Sequence, residues 1–178
     1  MLVPHDPAWT ARFEDLADEL RTHGDPHWEI EHIGSTSIPG IPAKPIIDLA
    51  VRVSPGDLDR HASSLDAAGW RFGSSIVSHP VMIRVSGDVR EAIAHFFPTD
   101  EWDAAAQRIL RDWLRTHPAD AATYARAKKD AVLRAERGES YSSAKTAVIQ
   151  EIMDRARTAR GLPPVPVGDK SPPRGETP

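Results

Sequence analysis

In the run EHIGSTSIPGIPAKPIIDLAV, residues 31–51, a single carboxylate, Asp48, sits inside an apolar stretch. Aspartate is a poor strand residue, and a buried carboxylate is costly unless something pairs with it. Ahead of it lies a polar turn of Gly34, Ser35, Thr36 and Ser37. Gly34 allows close backbone approach, the hydroxyls are hydrogen-bonding groups, and successive turn amides can cradle an anion. Lys44 adds a positive charge nearby. Two readings of Asp48 stand side by side: a structural acceptor of backbone N–H bonds, or a cation ligand at the mouth of a site. In the second, amides and hydroxyls hold a phosphate chain and a hard cation bridges it to Asp48. The run is not a Walker P-loop, because no Gly-Lys-Ser/Thr follows its glycines.

Further groups can serve such a site. His32 precedes the turn and His95 stands among apolar neighbours in AIAHFFP. Both suit acid–base work near neutral pH, and both are also ordinary as hydrogen-bonded structural histidines. Arg84 and Arg90 can clamp a carboxylate or phosphate bidentately, or form surface ion pairs. Lys145, in the YSSAK helix start, can reach a bound anion or remain solvated. Ser35 is a poor nucleophile here, since no orienting acid is placed for a triad.

The elements that must position these groups are legible from periodicity. Asp6 caps and Pro7 opens a helix carrying Trp9, Phe13, Leu16 and Leu20 on one face, closed by Gly24. Strands are expected at 28–33, 45–53, 81–85 and 92–98, with a helix at 57–67 that exits through AGW. From Asp100 the chain reads as helical. Trp102, Ala106, Ile109, Leu110, Trp113 and Leu114 form an apolar stripe; Pro118 opens a second helix, and Ser140 or Ser142 caps a third. This order predicts an α+β fold, a small mixed sheet with helices packed on one side and a helical C-terminal part. One domain spans 1–160. Residues 161–178, GLPPVPVGDKSPPRGETP, read as a Pro-rich disordered tail whose deletion from 162 leaves stability nearly unchanged.

Composition narrows the partners. Net charge is −4 with pI about 6.0, which offers no electrostatic case for nucleic acid or an anionic membrane. No cysteine is present, so thiolate catalysis and Cys-based zinc are excluded, in keeping with a cytoplasmic protein. No apolar run approaches the roughly 20 residues that span a bilayer. A small molecule or nucleotide is the expected partner, and oligomeric state is not legible.

The same run resembles the signature of the GrpB family, small proteins of the nucleotidyltransferase superfamily. The resemblance extends to HDPAWTARFEDLADEL, to IRV and REAIAHFFP, to RDWLRTHPADAATYARAKKDAVLR and to YSSAKTAVIQEI, covering about residues 4–157. It implies a nucleotidyltransferase-like fold, in which a Gly-Ser turn precedes a strand of metal-binding acids. Twelve residues separate Ser35 from Asp48, as that pattern asks. It implies Asp48 as a magnesium ligand and His95, Arg84, Arg90 and Lys145 as site residues. The chain departs from the pattern at Ala50, where active nucleotidyltransferases carry a second acid, and neither VMIRV nor AIAHFF supplies a third. Glu29 or Glu31 can lend the missing oxygen if their strand neighbours that of Asp48. Three functional classes follow: nucleotidyl transfer from a nucleoside triphosphate to a small acceptor, with Mg2+ entering only with the phosphorylated ligand; metal-independent chemistry on a small polar or amino-acid-like substrate; or a non-catalytic nucleotide-binding module.

Overall fold

The computed structural model describes residues 1–73, 78–136 and 143–167, with backbone only at 135, 136 and 143–145. Five helices and five strands follow one another as α1 (Ala8–His23), β1 (Ile30–Ile33), β2 (Ile47–Val53), α2 (Asp57–Ala67), β3 (Trp70–Phe72), β4 (Val81–Ser86), β5 (Val89–Pro98), α3 (Ala106–Thr116), α4 (Pro118–Glu136) and α5 (Ser143–Ala159). Short 3-10 turns occupy Ser35–Ser37 and Trp102–Ala104. The strands form one mixed sheet in the order β1-β2-β5-β4-β3. Among the described strands only β2 and β5 run parallel; the other pairs are antiparallel.

Strand alternation sorts the side chains onto two faces. Ile47, Leu49, Val51 and Val53 of β2 join Ala92, Ala94 and Phe96 of β5 on one face. They pack there with Trp9, Phe13, Leu16 and Leu20 of α1 and Leu58 and Leu65 of α2. Each large side chain so buried contributes roughly 1.5–3 kcal/mol. On the opposite face Ile33, Ala50 and Phe97 meet Trp102 and Ala105, the entrance to the C-terminal helices. Helices α3–α5 then close on each other and on the Ile38–Ile41 loop through Leu114, Tyr124 and Ile152. The start of α1 is capped as expected, by Ala8 N–H donating to Asp6 Oδ1 at 2.9 Å.

Two features differ from the sequence reading. AGW does not simply leave a helix: Trp70 begins β3, its ring fully buried and its Nε1–H donating to Glu19 at 2.7 Å. A three-residue edge strand is too short to show period-2 alternation. The packed chain also runs past residue 160. Leu162 and Val167 pack against the cluster of Ile109, Met153 and Ala156. Gln150 bonds the Val165 carbonyl and the Val167 N–H, and Arg157 bonds the Pro163 carbonyl at 2.6 Å. Residues 168–178, and the expected helix cap at Ser140 or Ser142, lie outside the described residues. No described helix is long and apolar enough to cross a membrane.

Candidate functional site

Asp48 lies near the start of β2, opposite Ile33 of β1 and Ile93 of β5. Its face is the one that also carries Ala50, which pairs across the ladder with His95. Gly34, at φ 71°, brings the turn against this carboxylate: a Cβ built on Gly34 would sit 2.2 Å from Asp48 Oδ2. On the other side His95 Nε2 stands 3.6 Å from Asp48 Oδ1. The Asp48 side chain is 27% exposed and that of His95 8%, so the carboxylate is the more open end of the pair.

Behind His95 is a residue the sequence reading did not single out. His79 Nε2 lies 2.8 Å from His95 Nδ1, and His79 Nδ1 lies 2.8 Å from Ser78 Oγ. The His79 ring also packs on Phe97, centroids 4.3 Å apart. Its signal was thin, a lone histidine before Pro80 at the head of a strand.

The turn hydroxyls divide their duties. Ser37 Oγ donates to the Gly34 carbonyl at 2.6 Å, and Thr36 Oγ1 lies 3.0 Å from His32 Nε2. Both residues are buried and stitch the turn together. Ser35 instead faces α4, its Oγ 3.1 Å from Tyr124 OH. Lys128, one turn along the helix, donates to the Pro42 carbonyl at 3.1 Å with its ammonium 5.5 Å from the Tyr124 ring centroid. Tyr124 and Lys128 were also missed. Their i, i+4 spacing in ATYARAK put them on one helix face, but nothing local pointed that face at the turn.

Several expected members are elsewhere. Arg84 projects onto the α1/α2 face, where it pairs with Glu19 and donates to the Ala68 carbonyl. Its ladder neighbour Ala92 belongs to the main core, which fixes that direction. Arg90 is exposed in the β4–β5 hairpin, beyond a register shift between Arg84 and Val85. Lys44 is exposed. The Lys145 side chain lies outside the described residues.

His32 is buried and stacked on Phe13 at 4.9 Å, on the α1 face. It opens onto a separate cleft of about 630 Å³ with Ser37, Arg111 and Arg115. Burial first, and then the charges of Arg115, Arg111 and His5, push its pKa down to about 4. It is therefore neutral near pH 7 and does not meet His95.

The proposed lenders of an oxygen are engaged. Glu29 pairs with Arg52 at 3.0 Å in an exposed bridge. Glu31, opposite Ala50, is gripped by Arg108 at 2.7 Å and Arg111 at 2.6 Å. Burial pushes its carboxyl up, but the two guanidinium groups overcome this and hold it below the usual range. Arg108 is in turn pinned 4.0 Å over the Trp102 ring. Among the described residues, no three His, Asp or Glu side chains gather to hold a metal ion.

A family model described as GrpB protein matches residues 1–155. A UPF0157 protein of Pseudomonas aeruginosa is 35% identical over 175 residues, covering 94% of this chain and 72% of the relative. The crystal structure of the conserved protein GrpB from Enterococcus faecalis superposes with a TM-score of 0.76 at 28% identity, covering 90% of this chain and 99% of that one. Terminal uridylyl transferase 4 from Trypanosoma brucei, solved with bound dUTP, is similar at a TM-score of 0.53 and 14% identity, over 96% of this chain and 63% of that one. The latter likeness is one of fold: the mixed sheet and its helices have the nucleotidyltransferase architecture.

Proposed function

The chain belongs to the GrpB family, and from that premise we propose that Gly34, Asp48 and His95 form the reaction corner of an enzyme that transfers a nucleotidyl group from a nucleoside triphosphate to a small acceptor. The observation that carries this reading is the position of Asp48. It is held against the Gly34 turn, partly open to solvent, with a histidine 3.6 Å behind it.

The donor set decides how a cation fits. Ala50 is enclosed by apolar side chains and Glu31 is committed to two arginines, so the described residues supply no two-cation site. One Mg2+ arriving with ligand phosphates does fit, because magnesium commonly takes only one or two protein carboxylates besides phosphate and water. Asp48 would hold it, and the bound cation would neutralise phosphate charge. The chain supplies the rest. The Ser35 and Tyr124 hydroxyls form a polar pair on the α4 side of the turn. His95 accepts the proton of the attacking hydroxyl or amine. A bare phosphate is repelled by ionised Asp48, so the nucleotide binds only with its cation.

A second reading is favoured by the commitment of Glu31 and the enclosure of Ala50. In it the Asp48–His95 pair works without metal on a small polar or amino-acid-like ligand, Asp48 accepting directly from its ammonium or hydroxyl group. Calorimetric titration of ATP and UTP, with Mg2+ and with EDTA, separates the two. The expected result is binding only with Mg2+, weakened at least tenfold in Asp48→Asn. Nucleotide binding that persists in EDTA and in Asp48→Asn overturns the first reading. Mg2+-dependent binding with no product formed points to a nucleotide-binding module.

A further inference from the structure

We propose that His79 is a positioning residue that acts through His95, and that Ser78, His79 and His95 form one proton path ending at Asp48. The inference rests on the reaction corner proposed above and adds a residue to it. The path joins the corner to a cleft of about 500 Å³ under the C-terminal helices, lined by Ser78, His79, Phe97, Leu110, Met153 and Val167 among others.

The contact between the two rings allows two proton arrangements. A neutral imidazole has one N–H and one bare nitrogen. The 2.8 Å contact between His79 Nε2 and His95 Nδ1 takes one proton between them. If that proton is on His79 Nε2, then His79 Nδ1 is bare and accepts from Ser78 Oγ–H. His95 Nδ1 is then bare too, and His95 carries its proton on Nε2, aimed at Asp48. If the shared proton is on His95 Nδ1, every link reverses. His79 Nδ1–H donates to Ser78 Oγ, and His95 Nε2 presents a lone pair toward Asp48. The two rings are therefore the same tautomer in either case.

Only the second arrangement can take a proton at the corner. The gap from His95 Nε2 to Asp48 Oδ1 is 3.6 Å, long for a hydrogen bond, and it is where a ligand's O–H or N–H enters. That proton bonds to His95 Nε2. The Nδ1 proton of His95 passes to His79 Nε2, the Nδ1 proton of His79 passes to Ser78 Oγ, and the original Ser78 hydroxyl proton leaves to water. One proton enters and one leaves, no group changes its net charge, and the rings end in the first arrangement. Both rings are buried, so direct exchange of their protons with solvent is restricted. Packing on Phe97 holds the His79 ring for the transfer.

The test needs neither substrate nor turnover. The full chain, labelled with 15N, is examined by long-range proton–nitrogen correlation of the histidine rings at a pH where they are neutral. His79 and His95 are expected to show the same tautomer, Nε2–H in both or Nδ1–H in both, because the proton shared across their 2.8 Å contact fixes one ring from the other. Asp48→Leu removes the carboxylate that faces His95 Nε2, and any change of tautomer is expected in both rings together. His79→Phe keeps the packing on Phe97 and removes the partner nitrogen; His95 is expected to lose its single tautomer while the melting temperature changes little. Opposite tautomers in the wild type overturn the proposal, as does a change confined to one ring in Asp48→Leu. If either variant fails to fold, the wild-type spectrum alone still decides. Nucleotide titration can fail without altering this spectrum, so the corner's function and the histidine path fail separately.

Discussion

Gly34 and Asp48 share one space: the missing Cβ of Gly34 leaves the room that Asp48 Oδ2 fills, 2.2 Å from where that carbon would be. Gly34 also has φ 71° and ψ −173°, a backbone state essentially confined to glycine. Gly34→Ala therefore meets both strain and collision. It should lower unfolding free energy by about 2–4 kcal/mol, measured by urea denaturation. Adding Asp48→Ala should recover the part due to collision and leave the backbone part. If the double variant is no more stable than Gly34→Ala, the contact has little energetic weight.

The acid missing at position 50 can be restored. Ala50 is fully buried beside Ile33, Phe97 and Trp102 and opposite His95. Ala50→Asp is expected to cost roughly 2–4 kcal/mol, since the new charge has no prepared partner. Thermal melting with and without Mn2+ checks this. A melting temperature that rises with Mn2+ only in the variant would mean that the corner accepts a second carboxylate ligand after all.

Glu31 and Glu29 allow a contrast within one segment. Glu31→Gln leaves Arg108 and Arg111, with side chains 12% and 8% exposed, short of their carboxylate. The expected loss is about 2–3 kcal/mol, less than for a fully buried pair because Glu31 is itself partly open. Glu29→Gln breaks only the exposed bridge to Arg52 and should cost under about 1 kcal/mol. Equal losses in denaturant unfolding would contradict the central place given to Glu31.

His32 makes stability fall with acid in a defined window. Its folded pKa of about 4 lies below the ordinary 6.5, so the unfolded chain binds the proton more readily. The stabilisation is complete above pH 6.5 and is lost as pH falls toward 4. By linkage the whole loss is at most about 3 kcal/mol. His32→Phe preserves an aromatic ring against Phe13 but cannot titrate. The difference in unfolding free energy between wild type and variant should shrink between pH 7 and pH 4.5. A difference independent of pH would show that His32 does not titrate in this way.

Two truncations test the end of the packed chain. Deleting 162–178 removes Leu162, Val167 and the bonds to Gln150 and Arg157. It should lower the melting temperature further than deleting 168–178, by several degrees. Equal melting temperatures would return the boundary to residue 160.

Much of this protein is determined locally. The α1 stripe, the Asp6 cap, the apolar β2 run around Asp48 and the Gly34 turn each follow from periodicity, φ preference and hydrogen-bonding capacity over a few residues. Strand alternation likewise separates His32 from Glu31 once β1 is assigned. What lies across β2 is different, because it depends on register. Arg84 goes to the α1 face because its ladder partner is Ala92, and Glu31 is spent on α3 arginines 77 residues away in the case of Arg108. Ser35 meets Tyr124 across 89 residues, and His95 meets His79 across 16. Periodicity tells which face of an element is apolar, but a single polar residue on that face carries no local mark of its partner. Only closure of the chain, driven by burial of the shared core, sets which polar groups are left facing each other. Asp48 as an unusual strand residue was thus a property of the sequence. That it has His95 behind it, and that among the described residues the neighbouring acid Glu31 is spent on arginines, was decided by the fold.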